Sequence, residues 1–333
     1  MSTTPRILIV KLSAFGDVIQ TLPLLHSLRS AFPAGHIGWA IQEKFASLIV
    51  DHPLLSKLHI LDSKSVSACL RLSVELRAHK YDIVLDAQGL LVSSFVALLS
   101  GAPRRIGYNW KRECSHLFLT EAVVEARDRA HMVDKIQRLA VQIPIPCVPF
   151  THDLFLANRG AETYQLDRNL IHIGLVIGAS VPSKTLSVNH WIDVARRVIS
   201  SGYTPVLIGG IQELPVSALI EEACSVVNMV GKTPLTTLGH LLSCCSVVVS
   251  SDTGALHLAV AVGAPTVALF GVSDPVRTAS NWGDAPSVLL DSGSNAATRN
   301  FRHEATSIVV DSIPTDTIIS AITKLVRAGS TRE

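Results

Sequence analysis

The chain has 333 residues, of which 48% are hydrophobic and 17% charged, and its formal net charge at pH 7 is +2. This composition excludes a disordered or fibrous protein, and the length allows two domains that each bury a core. The six cysteines show neither C-x-x-C spacing nor a paired histidine pattern, so we expect no zinc site and no disulfide.

Strand-like and helix-like segments alternate through the first half of the chain. A strand at 6–11 leads into the turn LSAFG, and a helix follows from Asp17 to Phe32, which Pro23 either interrupts or kinks. The remaining strands are predicted at 36–41, 58–61 and 82–86, and the remaining helices at 66–79, after Gly89 and at 131–141. This alternation indicates a doubly wound parallel sheet.

A proline-rich linker containing Pro144, Pro146 and Pro149 extends to about residue 169 and leads into a second half. There the predicted strands are 171–178, 205–208, 247–249, 265–270 and 287–291, and the predicted helices are 189–200, 213–223, 235–242, 254–262 and 315–327. We therefore expect an α/β protein with two Rossmann-like domains, residues 1–160 and 170–312, facing a cleft at the carboxyl ends of their strands.

The segment VVVSSDTGALHLAVAVGAP, residues 247–265, compresses a buried strand, a polar turn and a helix into a short stretch. In a parallel sheet such a turn lies at the carboxyl end of a strand, where free N–H groups of the next helix bind anions. Asp252, Thr253, Gly254 and His257 are therefore candidate ligand-binding residues. The alternatives are that Asp252 only caps the helix and that His257 is a core histidine.

Lys184 lies in GASVPSKT, which is close to the Walker A pattern G-x-x-x-x-G-K-[ST]. Ser183 stands where that pattern has its second glycine, and Pro182 lacks an N–H donor. We therefore expect an open loop in which Ser180, Ser183 and Lys184 reach phosphate oxygens, or else a solvated surface lysine. Because the strand before Asp252 is similar to a Walker B element, a P-loop-type ATPase stays open as a function.

Three further carboxylates follow predicted strands. Glu213 comes after a pair of glycines, where an acid binds a ribose diol or simply stabilises the start of a helix. Asp17 is a candidate general base or a helix cap, and Asp86, followed by Gln88 and Gly89, faces the cleft or caps a helix. The chain contains no G-x-G-x-x-G, which disfavours a nicotinamide dehydrogenase, and no G-x-S-x-G.

Positive charge is concentrated in the first 150 residues, which hold 17 Lys and Arg against 12 Asp and Glu. The densest group lies between Gly101 and Arg112 and consists of Arg104, Arg105, Lys111 and Arg112. With Tyr108 and Trp110 interleaved, this group could grip an anionic ligand or a lipid headgroup surface, or form a solvated loop.

Four segments occur in order along the chain: VKLSAFGDVIQTLP near the start, DAQGLLVSS from residue 86, SKT…HW between 183 and 191, and SSDTGALHLAVAVGAPTVALFG from residue 250. Together they resemble the lipopolysaccharide heptosyltransferases of glycosyltransferase family 9, and GDV, DAQGL and SDTG…H are more similar to heptosyltransferase I than to II. The resemblance implies a GT-B fold with an N-terminal acceptor domain and a C-terminal nucleotide-sugar domain. It also implies a final helix, 315–328, that returns to the N-terminal half.

The resemblance implies an inverting transfer of heptose from ADP-heptose to the Kdo of lipid A, without a metal or a cofactor, and it makes Asp17 the general base. The implied donor-binding residues are Ser180, Ser183, Lys184, Glu213, Asp252, Thr253, Gly254 and His257. The implied acceptor-binding residues are Ser13, Gly16, Asp86, Gln88, Gly89, Arg104, Arg105, Lys111 and Arg112.

The chain departs from the family at Thr185-Leu186-Ser187, where Arg-Trp-Pro is common, and carries no family motif after Gly293. No secretory signal precedes the first strand, and polar and helix-breaking residues interrupt the longest apolar stretch, 256–272, so we expect no transmembrane segment. We expect a cytoplasmic protein, peripheral at the inner membrane, with no nucleic-acid partner. Alternatives to heptose transfer are transfer of another sugar, ATP hydrolysis and non-catalytic binding of a nucleotide sugar.

Overall fold

Two parallel sheets organise the chain, one in each of the two units, residues 1–150 and 151–333, into which it divides. The computed structural model describes residues 4–109, 112–123, 130–143, 145–161, 166–167, 169–179, 181, 184–271, 273–292 and 309–330. Ser180, Ser183, Lys111 and the segment 293–308 lie outside the described residues, as does the side chain of Arg112.

The sheet of the first unit has six strands. They are β1 (Arg6–Val10), β2 (His36–Gln42), β3 (Lys57–Leu61), β4 (Ile83–Asp86), β5 (Arg104–Tyr108) and β6 (Glu121–Val123). Their order is β3-β2-β1-β4-β5-β6, and all neighbours are parallel. Consecutive residues of β1 and β4 are buried, so both faces of the sheet are covered in its centre.

The helices described in this unit are α1 (Phe15–Ile19), α2 (Leu22–Ala31), α3 (Glu43–Ala46), α4 (Val66–Ala78), α5 (Leu91–Leu99) and α6 (Met132–Val141). Pro23 lies in the first turn of α2, where its missing N–H costs no hydrogen bond. The predicted interruption of the first helix is therefore confirmed, and it produces two helices instead of a kink.

The second unit repeats the arrangement. Its strands are β7 (His172–Val176), β8 (Thr204–Ile208), β9 (Val227–Asn228), β10 (Val247–Ser251), β11 (Thr266–Phe270) and β12 (Ser287–Asp291), in the order β12-β11-β10-β7-β8-β9. All neighbours are again parallel. The prediction of two doubly wound parallel sheets is confirmed.

The helices described in the second unit are α7 (Leu154–Asn158), α8 (Val188–Ser200), α9 (Leu214–Ala223), α10 (Leu235–Ser243), α11 (Gly254–Ala261), α12 (Pro275–Thr278) and α13 (Thr315–Ser330). Within the described ranges, no helix combines the length and apolar character that crossing a bilayer requires.

The last helix lies in the second unit. Ile318, Ile322 and Leu325 of α13 are buried in the same apolar cluster as Trp191 of α8. We expected this helix to return to the first half, whereas its buried residues belong to the core of the second unit. The apolar face of α13 must pack against one of the two sheets, but the sequence pattern of the helix would be the same for either sheet.

Two segments that the sequence indicated as irregular have regular structure. The basic stretch contains β5, which pairs with β4 and β6. The expected linker contains α7, which packs against α10: the His240 Nδ1 atom donates to the Ala157 carbonyl at 2.8 Å. The second unit therefore begins well before residue 170.

Gly239 allows the close contact between α7 and α10. A Cβ atom at this position would lie 2.6 Å from the Leu156 carbonyl oxygen. Although alanine is the better helix former, we expect Gly239→Ala to lower the free energy of unfolding of this unit by about 1–3 kcal/mol, because the backbone must shift. Urea unfolding followed by circular dichroism and tryptophan fluorescence measures the change.

Gly329→Ala in α13 is the matched control, because nothing lies within 4 Å of the added Cβ atom. We expect it to raise the free energy of unfolding by up to about 1 kcal/mol. Equal stabilisation by both substitutions would show that α7 does not press against α10.

Candidate functional site

The strand order reverses once in each sheet. In the first unit the chain runs outward from β1 through β2 and β3 and then crosses to β4 on the other side of β1. In the second unit it runs outward from β7 and crosses in the same way to β10. Such a reversal opens a crevice at the carboxyl ends of the two central strands, where ligands bind in open α/β sheets. Predicted polar residues lie at each of the two reversals, Asp17 and Asp86 at the first and Lys184 and Asp252 at the second.

In the second unit the reversal brings Lys184, after β7, to Asp252, after β10. The Lys184 Nζ atom donates to Asp252 Oδ2 at 2.9 Å and lies 3.5 Å from the Asp252 carbonyl oxygen. The other carboxylate oxygen of Asp252 lies 3.7 Å from His257 Nε2. Three of the predicted donor-binding residues therefore form one group, and Lys184 is not an isolated surface lysine.

The partners of Asp252 determine its ionisation. Burial alone would raise the pKa of this carboxyl group, but the His257 imidazole, the charge of Lys184 and a hydrogen bond from Ser273 outweigh burial and hold the pKa well below its usual value. Asp252 is therefore ionised at neutral pH. Ser273, which lies after β11, had no signal in the sequence.

The amino terminus of α11 faces the same end of the sheet. Thr253 is its N-cap residue, so the interpretation of Asp252 as a plain helix cap is wrong. The first turn of α11 contains no acidic residue, and the buried Ser251 hydroxyl has no hydrogen-bond partner among the described residues. The free N–H groups of such a helix start suit an anionic ligand.

His257 combines both interpretations offered for it. Its side chain is buried, as in a core histidine, yet Nε2 faces Asp252. Its Nδ1 atom is buried without a hydrogen-bond partner in the described part of the chain, and its ring lies 6.5 Å from that of Trp282. Trp282 was also missed by the sequence analysis.

The departure from the family at residues 185–187 has a structural explanation. The Thr185 hydroxyl donates to the Ile177 carbonyl at 3.0 Å and accepts from Trp191 Nε1 at 3.2 Å. Ser187 is the N-cap residue of α8. These contacts anchor the loop after Lys184.

The same contacts argue against a P-loop. A Walker A motif needs its lysine at the start of the helix and a free hydroxyl for Mg²⁺. Here α8 begins only at Val188, and the Thr185 hydroxyl is engaged by Ile177 and Trp191. The ATPase alternative is therefore not supported.

Glu213, after β8, lies against Gly178, which follows the neighbouring strand β7. Its Oε2 atom accepts the Gly210 N–H at 2.8 Å and so holds the start of a short 3₁₀ helix, Ile211–Glu213. Glu213 therefore stabilises the start of a helix, and its carboxylate also adjoins the loop that leads to Lys184.

In the first unit, Asp17 follows β1 and is 37% exposed. Its Oδ2 atom accepts the Ala14 N–H at 3.3 Å and lies 3.7 Å from Lys11 Nζ. The carboxylate thus holds the start of α1 and remains open to solvent. Gly16 precedes it in the same helix.

Lys11 is a residue that the sequence analysis did not select, although a charged residue at the end of the strand RILIVK was a visible signal. Its side chain is 4% exposed, and Nζ donates to the Ala87 carbonyl at 3.0 Å. Burial lowers its pKa, while the nearby Asp17 and Asp86 carboxylates oppose this effect. The ammonium group ties the ends of β1 and β4 together.

Asp86 is completely buried. It accepts hydrogen bonds from the N–H groups of Gln88 at 3.1 Å and Gly89 at 3.0 Å and from the Ser94 hydroxyl, and burial raises its pKa. The predicted direct contact of this carboxylate with an acceptor conflicts with its burial. Instead it holds the turn from which Gln88 Oε1 accepts the Ser13 N–H at 3.0 Å.

The sequence model of glycosyltransferase family 9 (heptosyltransferase) matches residues 69–306, well over half of the chain. The chain belongs to glycosyltransferase family 9. It is therefore a transferase enzyme, and the resemblance seen in its motifs is confirmed at the level of the family.

Relatives of two types are similar to this family 9 chain. Lipopolysaccharide heptosyltransferase 1 of Pseudomonas aeruginosa is 25% identical over 290 residues, covering 81% of this chain and 79% of the relative. Lipooligosaccharide heptosyltransferase 2 of Haemophilus influenzae is 26% identical over 299 residues, covering 82% and 85%. These identities do not separate type I from type II.

Solved structures of family 9 share the fold. A family 9 glycosyl transferase from Veillonella parvula superposes with a TM-score of 0.83 at 25% identity, covering 97% of this chain and 98% of that one. The E. coli heptosyltransferase WaaC with ADP gives a TM-score of 0.79 at 22% identity, covering 96% and 99%. The predicted GT-B architecture is confirmed.

The arginines predicted to bind the acceptor of this family 9 enzyme are engaged within the first unit. Arg104 forms a bidentate pair with Glu121, at 2.7 and 2.9 Å, which raises the pKa of the guanidinium. Arg105 donates to the carbonyls of Phe118 at 2.9 Å and Ala102 at 2.7 Å. Neither residue belongs to a solvated loop, and neither lies with Asp17 at the strand reversal.

We expect Asp252→Asn to lower the free energy of unfolding at pH 7 by about 1–3 kcal/mol, because Lys184 loses its charged partner. A carboxyl group whose pKa is depressed in the folded state stabilises the fold fully at pH values above its unfolded pKa of about 3.9. This stabilisation is lost as the pH falls below that value. Between pH 5 and pH 3, wild type should therefore lose more stability than the variant. Urea unfolding across this range measures both quantities.

Asp316→Asn is the matched control, because the carboxylate of Asp316 is 81% exposed and pairs with the exposed Arg197. We expect its pH profile to follow that of wild type. If the stability of Asp252→Asn depended on pH in the same way as that of wild type, the electrostatic role assigned to Asp252 would be wrong.

Proposed function

We propose that this family 9 enzyme transfers heptose from ADP-heptose to the Kdo of lipid A, with Asp17 as the general base. The observation that carries the proposal is the set of groups at the two strand reversals. In the first unit the accessible carboxylate of Asp17 lies next to the buried Lys11, and in the second unit Lys184 lies near the amino terminus of α11. These are the groups that deprotonation of a hydroxyl and release of a diphosphate require.

The second unit binds the donor in this proposal. Lys184 and the N–H groups at the start of α11 contact the diphosphate, and Thr253 and Gly254 line the turn beneath it. Asp252 holds Lys184 in place through the 2.9 Å ion pair. The E. coli enzyme WaaC, which shares the fold, was solved with ADP and with ADP-2-deoxy-2-fluoro heptose, which supports a donor of this class.

Glu213 binds the ribose diol of the donor. Its carboxylate lies against Gly178, at the start of the loop that leads to Lys184, so one loop adjoins both the ribose and the phosphate contacts. Ser180 and Ser183 belong to this loop and complete the phosphate contacts.

The first unit binds the acceptor. The acceptor hydroxyl oxygen attacks the anomeric carbon of the donor, the carbon–oxygen bond to the diphosphate breaks, and ADP leaves with the electron pair. The hydroxyl proton passes to the Asp17 carboxylate, and the configuration at the anomeric carbon inverts. Ser13, Gln88 and Gly89 line the acceptor side, in loops joined by the hydrogen bond from Ser13 to Gln88.

Negative charge develops on the departing ADP. In this proposal Lys184 and the dipole of α11 stabilise that charge, so the diphosphate does not require a metal ion. Asp252 orients the Lys184 ammonium group through the 2.9 Å ion pair, and the ammonium group contacts the ligand from its other side.

A lipid-anchored acceptor requires a cytoplasmic enzyme that works at the inner membrane. The outer face of α4 supports such a contact, because Val66, Leu70 and Val74 lie on successive turns with exposures of 64%, 49% and 73%. Arg71 and Arg77 of the same helix are exposed; Arg71 pairs with Asp62 at 2.6 Å, and Arg77 Nε donates to the Leu99 carbonyl at 2.9 Å.

We expect Asp17→Asn to lower kcat for heptose transfer by about 10²–10⁴-fold, the usual effect of losing a general base, while the Kd for ADP stays unchanged. Mass spectrometry with ADP-heptose and de-acylated Kdo-lipid A measures transfer, and calorimetry measures binding. Asp51→Asn, at an exposed carboxylate of the same unit, is the control. Full activity of Asp17→Asn would refute the assigned base, and product only from an acceptor that already carries heptose would refute the assigned acceptor.

We expect Lys184→Met to weaken ADP binding by about 10- to 100-fold, because a charge-assisted contact with the diphosphate is lost. Affinity for adenosine should change little, since the nucleoside has no phosphate. Lys324→Met, at an exposed lysine of α13, provides the matched control. Equal losses for ADP and adenosine would show that Lys184 supports the fold of the site instead of binding phosphate.

A further inference from the structure

A second polar cluster lies in the first unit, around the edge strand β3 and helix α4. Its centre is His59, whose side chain is fully buried. His59 Nε2 lies 2.6 Å from the Tyr81 hydroxyl, and His59 Nδ1 lies 3.0 Å from Glu75 Oε1. The His79 ring stands edge-on to that of His59, with 4.9 Å between the centroids. None of these residues has a role in the proposed transfer reaction.

The fold brings three metal-binding side chains together here. Glu75 and His79 lie one helical turn apart, with His79 as the C-cap residue of α4, so they share one face of the helix. That face meets β3, which contributes His59. One imidazole nitrogen from each histidine and a carboxylate oxygen all lie within 4.8 Å of one another.

The His59 Nδ1 atom is buried and lies 3.0 Å from the Glu75 carboxylate. With the proton on Nδ1, this contact is a hydrogen bond to Glu75. If Nε2 carries the proton and donates it to Tyr81, the lone pair of Nδ1 faces a negative carboxylate. A cation between the two atoms would satisfy both.

We propose that His59, Glu75 and His79 bind a divalent transition-metal ion, for which Zn²⁺ is the fitting probe, through His59 Nδ1, the Glu75 carboxylate and one ring nitrogen of His79. Zn²⁺ takes imidazole and carboxylate ligands at about 2.0–2.2 Å in a tetrahedron, which places ligand atoms about 3.3 Å apart. Rotation of the half-exposed Glu75 and His79 side chains closes the remaining distance. Water completes the coordination.

The neighbours of this cluster orient its central ligand. The Tyr81 hydroxyl fixes one ring nitrogen of His59, as the outer partner of a metal-bound histidine commonly does. Tyr81 reaches His59 only because β2 carries Gly38, where an added Cβ atom would lie 2.0 Å from the tyrosine oxygen. His36 stacks on His79 at 5.3 Å.

Lys57 competes with the proposed ion. Its Nζ atom lies 3.3 Å from Glu75 Oε1, and its side chain is half exposed, so it neutralises the carboxylate and can turn away when a metal binds. The ion would fasten the edge strand β3 to α4, apart from the strand reversal at β1 and β4. The site contains no cysteine and draws on separate elements, so cysteine and histidine spacing gave no sign of it.

The test uses the full-length protein without a histidine tag, stripped with a chelator and titrated with Zn²⁺ against a chromophoric competitor. Wild type should bind one ion at this site, show the visible absorption of tetrahedral Co²⁺ and unfold at a higher temperature with Zn²⁺. Glu75→Gln and His79→Gln should each weaken Zn²⁺ binding by at least about 10-fold, and so should Tyr81→Phe. Lys57→Met should bind Zn²⁺ several-fold more tightly than wild type, because the competing ammonium group is removed.

Glu222→Gln, at an exposed carboxylate of α9, is the matched control and should bind Zn²⁺ like wild type. His59 is left intact because its substitution would disturb the core, whereas Glu75 and His79 are partly exposed. Absence of Zn²⁺ binding by wild type would overturn the proposal, and so would binding that Glu75→Gln and His79→Gln leave unchanged. Heptose transfer is not a readout, so the outcome is independent of the proposed function.

Discussion

The central strands of both sheets are buried on both faces, and this constraint determines where polar chemistry can occur. A buried parallel strand tolerates few charged side chains along its length, so charged groups collect where the strands end. The reversal of strand order keeps the connecting helices from covering that end at β1 and β4, and again at β7 and β10. Each unit of the enzyme therefore has a polar cluster at its strand reversal, and each of these two clusters contains a lysine and an aspartate.

The surroundings of each aspartate decide what it can do. Asp86 is fully enclosed, and its hydrogen bonds are used within one turn. Asp17 keeps an open face beside the buried ammonium group of Lys11. Asp252 lies between Lys184 and His257, which keep it ionised. Three aspartates at or after the ends of parallel strands thus have three roles: Asp86 holds a turn internally, Asp17 is an accessible carboxylate, and Asp252 anchors the Lys184 ammonium group.

The sequence predicted those helices and strands that depend on neighbouring residues of the chain. Apolar runs marked the central strands, and the position of Pro23 marked the break between α1 and α2. The strand β5 was missed because its arginines resemble a loop until their partners, such as Glu121, are known. The proximity of Lys184 to Asp252 followed from topology, whereas the burial of Asp86 and the docking of α13 depend on contacts between distant segments, which no local pattern contains.

The loop that carries Lys184 is also tied to the end of the chain. Asp311 accepts the Ser187 N–H at 2.7 Å and lies 3.2 Å from His190 Nδ1, in the short turn that leads into α13. Because α13 packs on the same core as α8, the loop that carries Lys184 and the last helix share one set of interactions. A ligand that orders this loop therefore also protects α13 from local opening. Because thermodynamic linkage is reciprocal, a change that loosens α13 lowers the binding free energy of that ligand by the same amount.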